Sequence, residues 1–156
     1  MSFARLLPMP RIPCAAVPVH RLALLQDVAI FAPLPEPTLE RLASKLQEVG
    51  FHAGDVVFHA GEPGDLFYLV DDGTVEVLTD EKAPVVLEHG DFFGEIALLR
   101  NVPRTATVRA QTDARLYSLG RDDFIPAVTG YAPSRDAADK VIGMRLGPAR
   151  AGLVRV

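Results

Sequence analysis

The chain has no tryptophan, one cysteine at position 14, and aromatic residues at only 7% of its 156 positions. A lone cysteine cannot close an internal disulfide or supply a multi-thiolate zinc site, which excludes a stapled secreted scaffold and favours a reducing, cytoplasmic setting. No uninterrupted apolar run approaches the roughly 20 residues that a spanning helix requires. Pro8, Pro10, Pro13 and Pro18 break every apolar stretch of the N-terminus, so no secretory signal is read there. Acidic residues are missing only at the start: the first 26 residues hold Arg5, Arg11 and Arg21 and no carboxylate, which leaves the remainder more acidic than the net charge of −4 for the whole chain. An acidic body argues against non-specific nucleic-acid binding.

What is present is enough for one core, since 49% of the residues are hydrophobic. Residues 1–20 hold four of the 13 prolines and show neither helical nor strand periodicity. They read as an extended tether or linker, or equally as an unstructured tail. Residues 21–147 form the domain, and 148–156 a C-terminal tail. Leu22, Leu25, Val28 and Ala29 recur at helical spacing before Pro33, Pro35 and Pro37. A second helix is expected over Glu36 to Val49, with Pro37 in its first turn and Leu39, Leu42, Ala43, Leu46 and Val49 on one stripe.

Past Gly50 the texture changes to short β-type runs: Val56 to Phe58, Leu66 to Val70, Thr74 to Thr79, Val85 to Leu87, Thr105 to Ala110, and Ala114 to Leu119. Gly54-Asp55, Gly64-Asp65, Asp72-Gly73 and Gly90-Asp91 punctuate them with turn chemistry. The expected fold is mainly β with flanking helices, a β-roll or jelly-roll sandwich. Helical pattern returns over Arg121 to Val128, disturbed by Pro126, and over Ser134 to Leu146, where Ser134 suits an N-cap and Asp136 the first turn. Ala137, Ala138, Val141, Ile142 and Met144 give that last helix a partly apolar face.

The segment from Phe92 to Val108 reads as a small anion pocket. Gly94 permits close backbone approach, and Glu95 to Leu99 suit one helical turn whose first N–H groups lack intrahelical partners and so favour phosphate. Asn101-Val102-Pro103 turns the chain back, bringing the guanidinium fork of Arg104 to the same place. A carboxylate at Glu95 repels phosphate unless the ligand also presents hydroxyls, so phosphate plus ribose accounts for both charges. Thr105 adds a hydroxyl beside Arg104, although strand propensity alone also explains a threonine there.

Phe93-Gly94-Glu95-Ile96-Ala97-Leu98-Leu99 followed by Pro103-Arg104-Thr105-Ala106-Thr107-Val108 closely resembles the phosphate-binding cassette of cyclic nucleotide-binding domains. The resemblance extends to Phe31-Ala32-Pro33-Leu34, Gly54-Asp55, Gly61-Glu62-Pro63-Gly64-Asp65 and Gly73-Thr74-Val75-Glu76-Val77, and covers roughly residues 22–146. It implies N-terminal helices, a β-roll, a short cassette helix and C-terminal hinge and lid helices. It also implies a cyclic nucleotide, cAMP or cGMP, as ligand. By the same resemblance Gly94, Ile96 and Ala97 supply backbone contacts to phosphate, Glu95 accepts from the ribose 2′-hydroxyl, and Arg104 pairs with the cyclic phosphate. Thr105 sits beside the phosphate and faces the base, which leaves both nucleotides open. Leu87 corresponds to the apolar wall by the base, and is equally compatible with plain core packing.

Rival readings have less behind them. A jelly roll can host a metal enzyme, but His52 and His59 are an odd number of residues apart and face opposite sides of one regular strand. No metal site and no other cofactor is expected, and no serine, cysteine or aspartate sits in a nucleophile setting, so no enzymatic activity is expected. Arg100, Arg109, Arg115 and Arg121 are read as solvated or weakly paired. The leading function is a regulatory sensor that relays lid movement to a fused or associated partner, such as a membrane transporter, a channel or another effector domain. The alternatives are the sensor half of a catabolite-activator-like transcription regulator, for which the residues after the lid helix are too few to read DNA, and an interaction module that binds no nucleotide.

Overall fold

The computed structural model describes residues 19–80 and 82–146. The tether, apart from its last two residues, and the 148–156 tail lie outside the described residues, as does Cys14. Helix α1, Val19–Gln26, takes in those two tether residues, Val19 and His20, and buries Leu24 and Leu25. Helix α2, Glu36–Lys45, starts from the extended Pro35 with Pro37 in its first turn and buries Leu39, Leu42 and Ala43.

The apolar stripe suggested that this second helix continues to Val49. It ends at Lys45 instead, because Leu46 turns extended (φ −65°, ψ 137°) and Gln47–Phe51 form strand β1. That strand pairs antiparallel with β8, Ala114–Gly120, in a register that sets Val49 opposite Leu116. Leu46 is buried in this extended conformation, and the ladder of backbone hydrogen bonds to β8 satisfies the strand that follows it.

The remaining strands are β2 (Val56–Phe58), β3 (Leu66–Asp72), β4 (Val75–Leu78), β5 (Val85–Leu87), β6 (Phe92–Phe93) and β7 (Thr107–Ala110). Two four-stranded sheets result, in the orders β1-β8-β3-β6 and β2-β7-β4-β5. Helix α3, Glu95–Arg100, follows β6; α4, Arg121–Thr129, and α5, Ala132–Leu146, follow β8. Helix α4 runs through Pro126 to Thr129. Helix α5 starts two residues before Ser134, whose side chain is fully buried, so Ser134 is not an N-cap. Of the expected apolar face of α5, Ala138 and Ile142 are buried while Met144 is exposed. Among the described residues no helix is long and apolar enough to cross a membrane.

The alternation along β3 explains the two cores. Phe67 and Leu69 point to the helices, where Phe67 stacks on Phe124 at 4.8 Å and meets Phe31 edge-on at 5.3 Å. Tyr68 and Val70 point to the second sheet and join Val75, Val77, Leu87, Phe93, Val108 and Leu116. A strand buried on both faces reads as a continuous apolar run, as Leu66 to Val70 does. Each fully buried phenylalanine contributes about 1.5–3 kcal/mol.

One polar cluster ties α1 to the roll. Asp71, buried at the end of β3, accepts hydrogen bonds from Arg115 Nε at 2.8 Å and pairs with His20 Nε2 at 2.6 Å. His89 Nδ1 bonds the Asp71 carbonyl at 2.6 Å. Burial alone would raise the Asp71 carboxyl, but the bonds from Arg115 and His20 outweigh it and hold its pKa below the ordinary aspartate value.

Candidate functional site

The cassette begins where β6, paired to β3 through Tyr68 and Phe93, runs into Gly94. This residue adopts the left-handed conformation (φ 93°) as the N-cap of α3. A Cβ there would also stand 2.9 Å from Arg104 Nη1 and 3.0 Å from the Leu66 carbonyl oxygen. Glycine is therefore required twice, by backbone conformation and by space. Helix α3 buries Glu95, Ile96, Ala97 and Leu98, and ends at Asn101, itself left-handed (φ 54°). Asn101, Val102 and Pro103 then carry the chain back beside the loop after β2. There Arg104 N–H donates to the Glu62 carbonyl and Gly61 N–H to the Arg104 carbonyl, both at 2.8 Å. These bonds tie the backbone of Arg104 to the loop after β2, and β7 starts at Thr107 rather than at Thr105.

The side chain of Arg104 is 6% exposed. Its Nη1 donates to the Gly94 carbonyl at 3.1 Å and its Nη2 to the Leu66 carbonyl at 2.8 Å. The guanidinium carbon lies 4.0 Å from the centre of the Phe58 ring, and Nε–H is buried without a partner among the described residues. Gly64 makes room for it: a Cβ at position 64 would be 2.6 Å from Nε and 2.8 Å from the Ala97 Cβ. Burial pushes the Arg104 pKa down, and Tyr68, Asp65, Glu95 and Glu62 partly restore it.

Glu95 is fully buried. Its Oε2 accepts from Arg145 Nη1 at 2.7 Å, while Oε1 has no partner among the described residues. Arg145 sits in the last turn of α5, donates from Nη2 to the Phe92 carbonyl at 3.1 Å and lies 4.5 Å from the Phe92 ring centre. Burial raises the Glu95 pKa above its ordinary value, and Arg145 pulls against that rise. The cassette thus holds a buried cation and a buried anion, each with a spare hydrogen-bonding position, beneath the end of the last helix.

Of the residues expected at the site, Gly94, Glu95, Ile96, Ala97 and Arg104 are brought together. Thr105 is exposed, next to Arg104. Leu87 is 5% exposed and packs in the core between the sheets. Arg145, Phe58 and Gly64 escaped the sequence reading of the site. Nothing marks Arg145 beyond a basic residue near a helix end, whereas Gly64 lies in the quoted Gly61 to Asp65 motif. Beside the cassette an open depression of about 320 Å³ is lined by Pro63, Gly64, Asp65, Asn101, Pro103 and Arg121.

Arg100, Arg109 and Arg121, like Arg115, have partners of their own. Arg121 donates to the Gly64 carbonyl at 3.0 Å and lies 3.5 Å from Asp65. Arg109 donates to Glu76 at 2.6 Å, and Arg100 lies 3.5 Å from Asp139. His52 lies 3.9 Å from Asp113 and His59 3.2 Å from Glu62.

Comparison with known proteins bears on this geometry. The family model for the cyclic nucleotide-binding domain matches residues 48–130. The cAMP-dependent protein kinase regulatory subunit of Emericella nidulans is 38% identical over 104 residues, 65% of this chain and 25% of the relative. That of Schizosaccharomyces pombe is 39% identical over 103 residues, 65% of this chain and 25% of the relative. The chain therefore spans about a quarter of the length of these relatives. The regulatory domain of Toxoplasma gondii PKA, solved with cAMP, superposes with a TM-score of 0.68 at 33% identity, covering 81% of this chain and 48% of that one. A PKAR CBD2 structure with bound Sp-2Cl-cAMPS gives 0.66 at 30% identity, covering 75% and 78%.

Proposed function

This chain belongs to the cyclic nucleotide-binding domain family, and we propose that it is a cyclic-nucleotide sensor whose cassette takes the phosphate on Arg104 and the ribose on Glu95. The observation that carries the reading is the pair of buried, half-satisfied charges: Arg104 with Nε–H unpartnered and Glu95 with Oε1 unpartnered. A cyclic phosphate accepts from the guanidinium fork, with Gly94, Ile96 and Ala97 offering backbone contact, and a ribose hydroxyl donates to the carboxylate. Thr105 stands exposed next to Arg104, where its hydroxyl is the group we assign to a base edge. The cAMP-dependent relatives and the cAMP-bound neighbours favour cAMP, and Thr105 keeps cGMP as the second ligand to test.

Because Glu95 is fully buried under Arg145, a ligand hydroxyl reaches it only as α5 shifts. Binding then favours one arrangement of α5 over another, which is what a relay requires. The relatives are kinase regulatory subunits, so a protein kinase is a better-supported output than the transporter, the channel or the DNA-binding domain suggested by sequence alone. No catalytic role is assigned to the chain.

Titration calorimetry with cAMP and with cGMP, beside Arg104→Ala, tests the reading. One-to-one binding that weakens in the variant by tens- to thousands-fold, about 2–5 kcal/mol, is the expected result. Equal affinity of wild type and variant, or no heat from a folded, nucleotide-free wild type with either ligand, overturns it.

A further inference from the structure

The two carbonyls that accept from Arg104 hold its Nη edge but do not by themselves set the tilt of its plane. Phe58 is the last residue of β2, and the guanidinium carbon of Arg104 lies over its ring, 4.0 Å from the ring centre. The ring is itself held: it is 7% exposed, 5.8 Å from the Phe93 ring and 6.1 Å from the Tyr68 ring. On the Nε side, Gly64 leaves no side chain to compete for the space. A guanidinium has five N–H bonds; two are used on Gly94 and Leu66, leaving Nε–H and one hydrogen on each Nη.

We propose that Phe58 is a positioning residue for phosphate capture, its ring face holding the Arg104 guanidinium so that the unspent Nε–H stays set for an anion. The role rests on the cyclic-nucleotide reading above. An aromatic face attracts a cation most strongly where water is excluded, and Arg104 is such a cation. An aliphatic side chain fills the same space but supplies no electrostatic hold on the plane. The benefit is to binding rather than to folding: a guanidinium already desolvated and oriented loses less freedom when the ligand arrives.

The test replaces Phe58 by leucine, by tyrosine and, site-specifically, by 3,4,5-trifluorophenylalanine, which nearly keeps the shape and drains the ring of negative potential. The readouts are calorimetric titration with cAMP, the thermal unfolding midpoint, and the NMR signal of Arg104 Nε–H in the free protein. Phe58→Leu is expected to weaken cAMP binding by about 5- to 30-fold, the trifluorinated ring to weaken it in the same direction with the midpoint unmoved, and Phe58→Tyr to retain it. The Nε–H signal is expected to carry a ring-current shift that Phe58→Leu removes. Wild-type affinity in the trifluorinated protein overturns the proposal and leaves Phe58 as packing, and so does an unshifted Nε–H signal. A wild type that binds no cyclic nucleotide while its Nε–H remains ring-shifted overturns the sensor reading, and the capture role with it, but not the contact.

Discussion

Arg145 donates from Nη1 to Oε2 of Glu95 at 2.7 Å across 50 residues of sequence, pinning the end of the last helix to the first residue of the cassette helix. Both side chains are largely out of water, Arg145 at 13% exposure and Glu95 at 0%. Removing one member of such a pair leaves the other charge buried and uncompensated. Arg145→Met is therefore expected to lower the unfolding free energy at pH 7 by about 3 kcal/mol. The loss is expected to shrink at pH values where Glu95 is protonated. Urea unfolding at pH 7 and pH 4 checks both statements.

Glu95 carries a pH signature of its own. Its folded-state pKa is raised above the ordinary 4.5, burial being the main cause. The native state then holds a proton at pH values where the unfolded chain has released it. The stability contribution is fully present below pH 4.5 and is lost as the pH rises through the folded-state value. The stability of the wild type minus that of Glu95→Gln is expected to fall as the pH rises above 4.5. Unfolding curves at closely spaced pH values between 4 and 7.5 give that difference directly.

Asp71 runs the other way. Although burial opposes it, hydrogen bonds from Arg115 and His20 depress its folded-state pKa below the ordinary 3.8. Its contribution is present above that value and is lost as the pH falls through the lower folded-state one. Asp71→Asn is expected to cost stability at neutral pH and to give a variant whose deficit against wild type narrows in acid below pH 3.8. Circular dichroism during acid titration, with thermal melts at pH 7, reads both parts.

Gly64 and Gly73 separate binding from folding. A Cβ at position 64 meets the Arg104 guanidinium, at 2.6 Å from Nε, and the Ala97 Cβ at 2.8 Å. Gly64→Ala is expected to displace Arg104 and weaken cAMP binding about tenfold or more, with a smaller effect on stability. Gly73 has φ 79°, and a Cβ there would overlap the Asp113 carbonyl oxygen, part of a backbone that cannot swing aside. Gly73→Ala is expected to destabilise the fold by about 2–4 kcal/mol. Calorimetry beside thermal unfolding of the two variants distinguishes the cases.

Much of this was legible from residues alone because the chemistry is local. The turn from Gly94 through Arg104 is a contiguous segment whose glycine, carboxylate and guanidinium are set by short-range geometry, and most of the β-runs are bounded by glycine and aspartate turns. What escaped depends on distant pairing. Leu46 and Val49 satisfy a helical stripe as well as a strand, and only β8 decides between them. Ser134 has the chemistry of an N-cap, but the helix starts at Ala132 and buries it. Arg145 and Phe58 meet the cassette from across the fold, so no spacing rule marks them.

The order β1-β8-β3-β6 has a consequence for how the chain acquires its shape. Gln47 pairs with Ser118, so β1 has no strand neighbour until β8, the last strand among the described residues, has been made. Until then α1 and α2 have no completed sheet to cover. The closing of the long loop between β1 and β8 is the step expected to set the pace of folding.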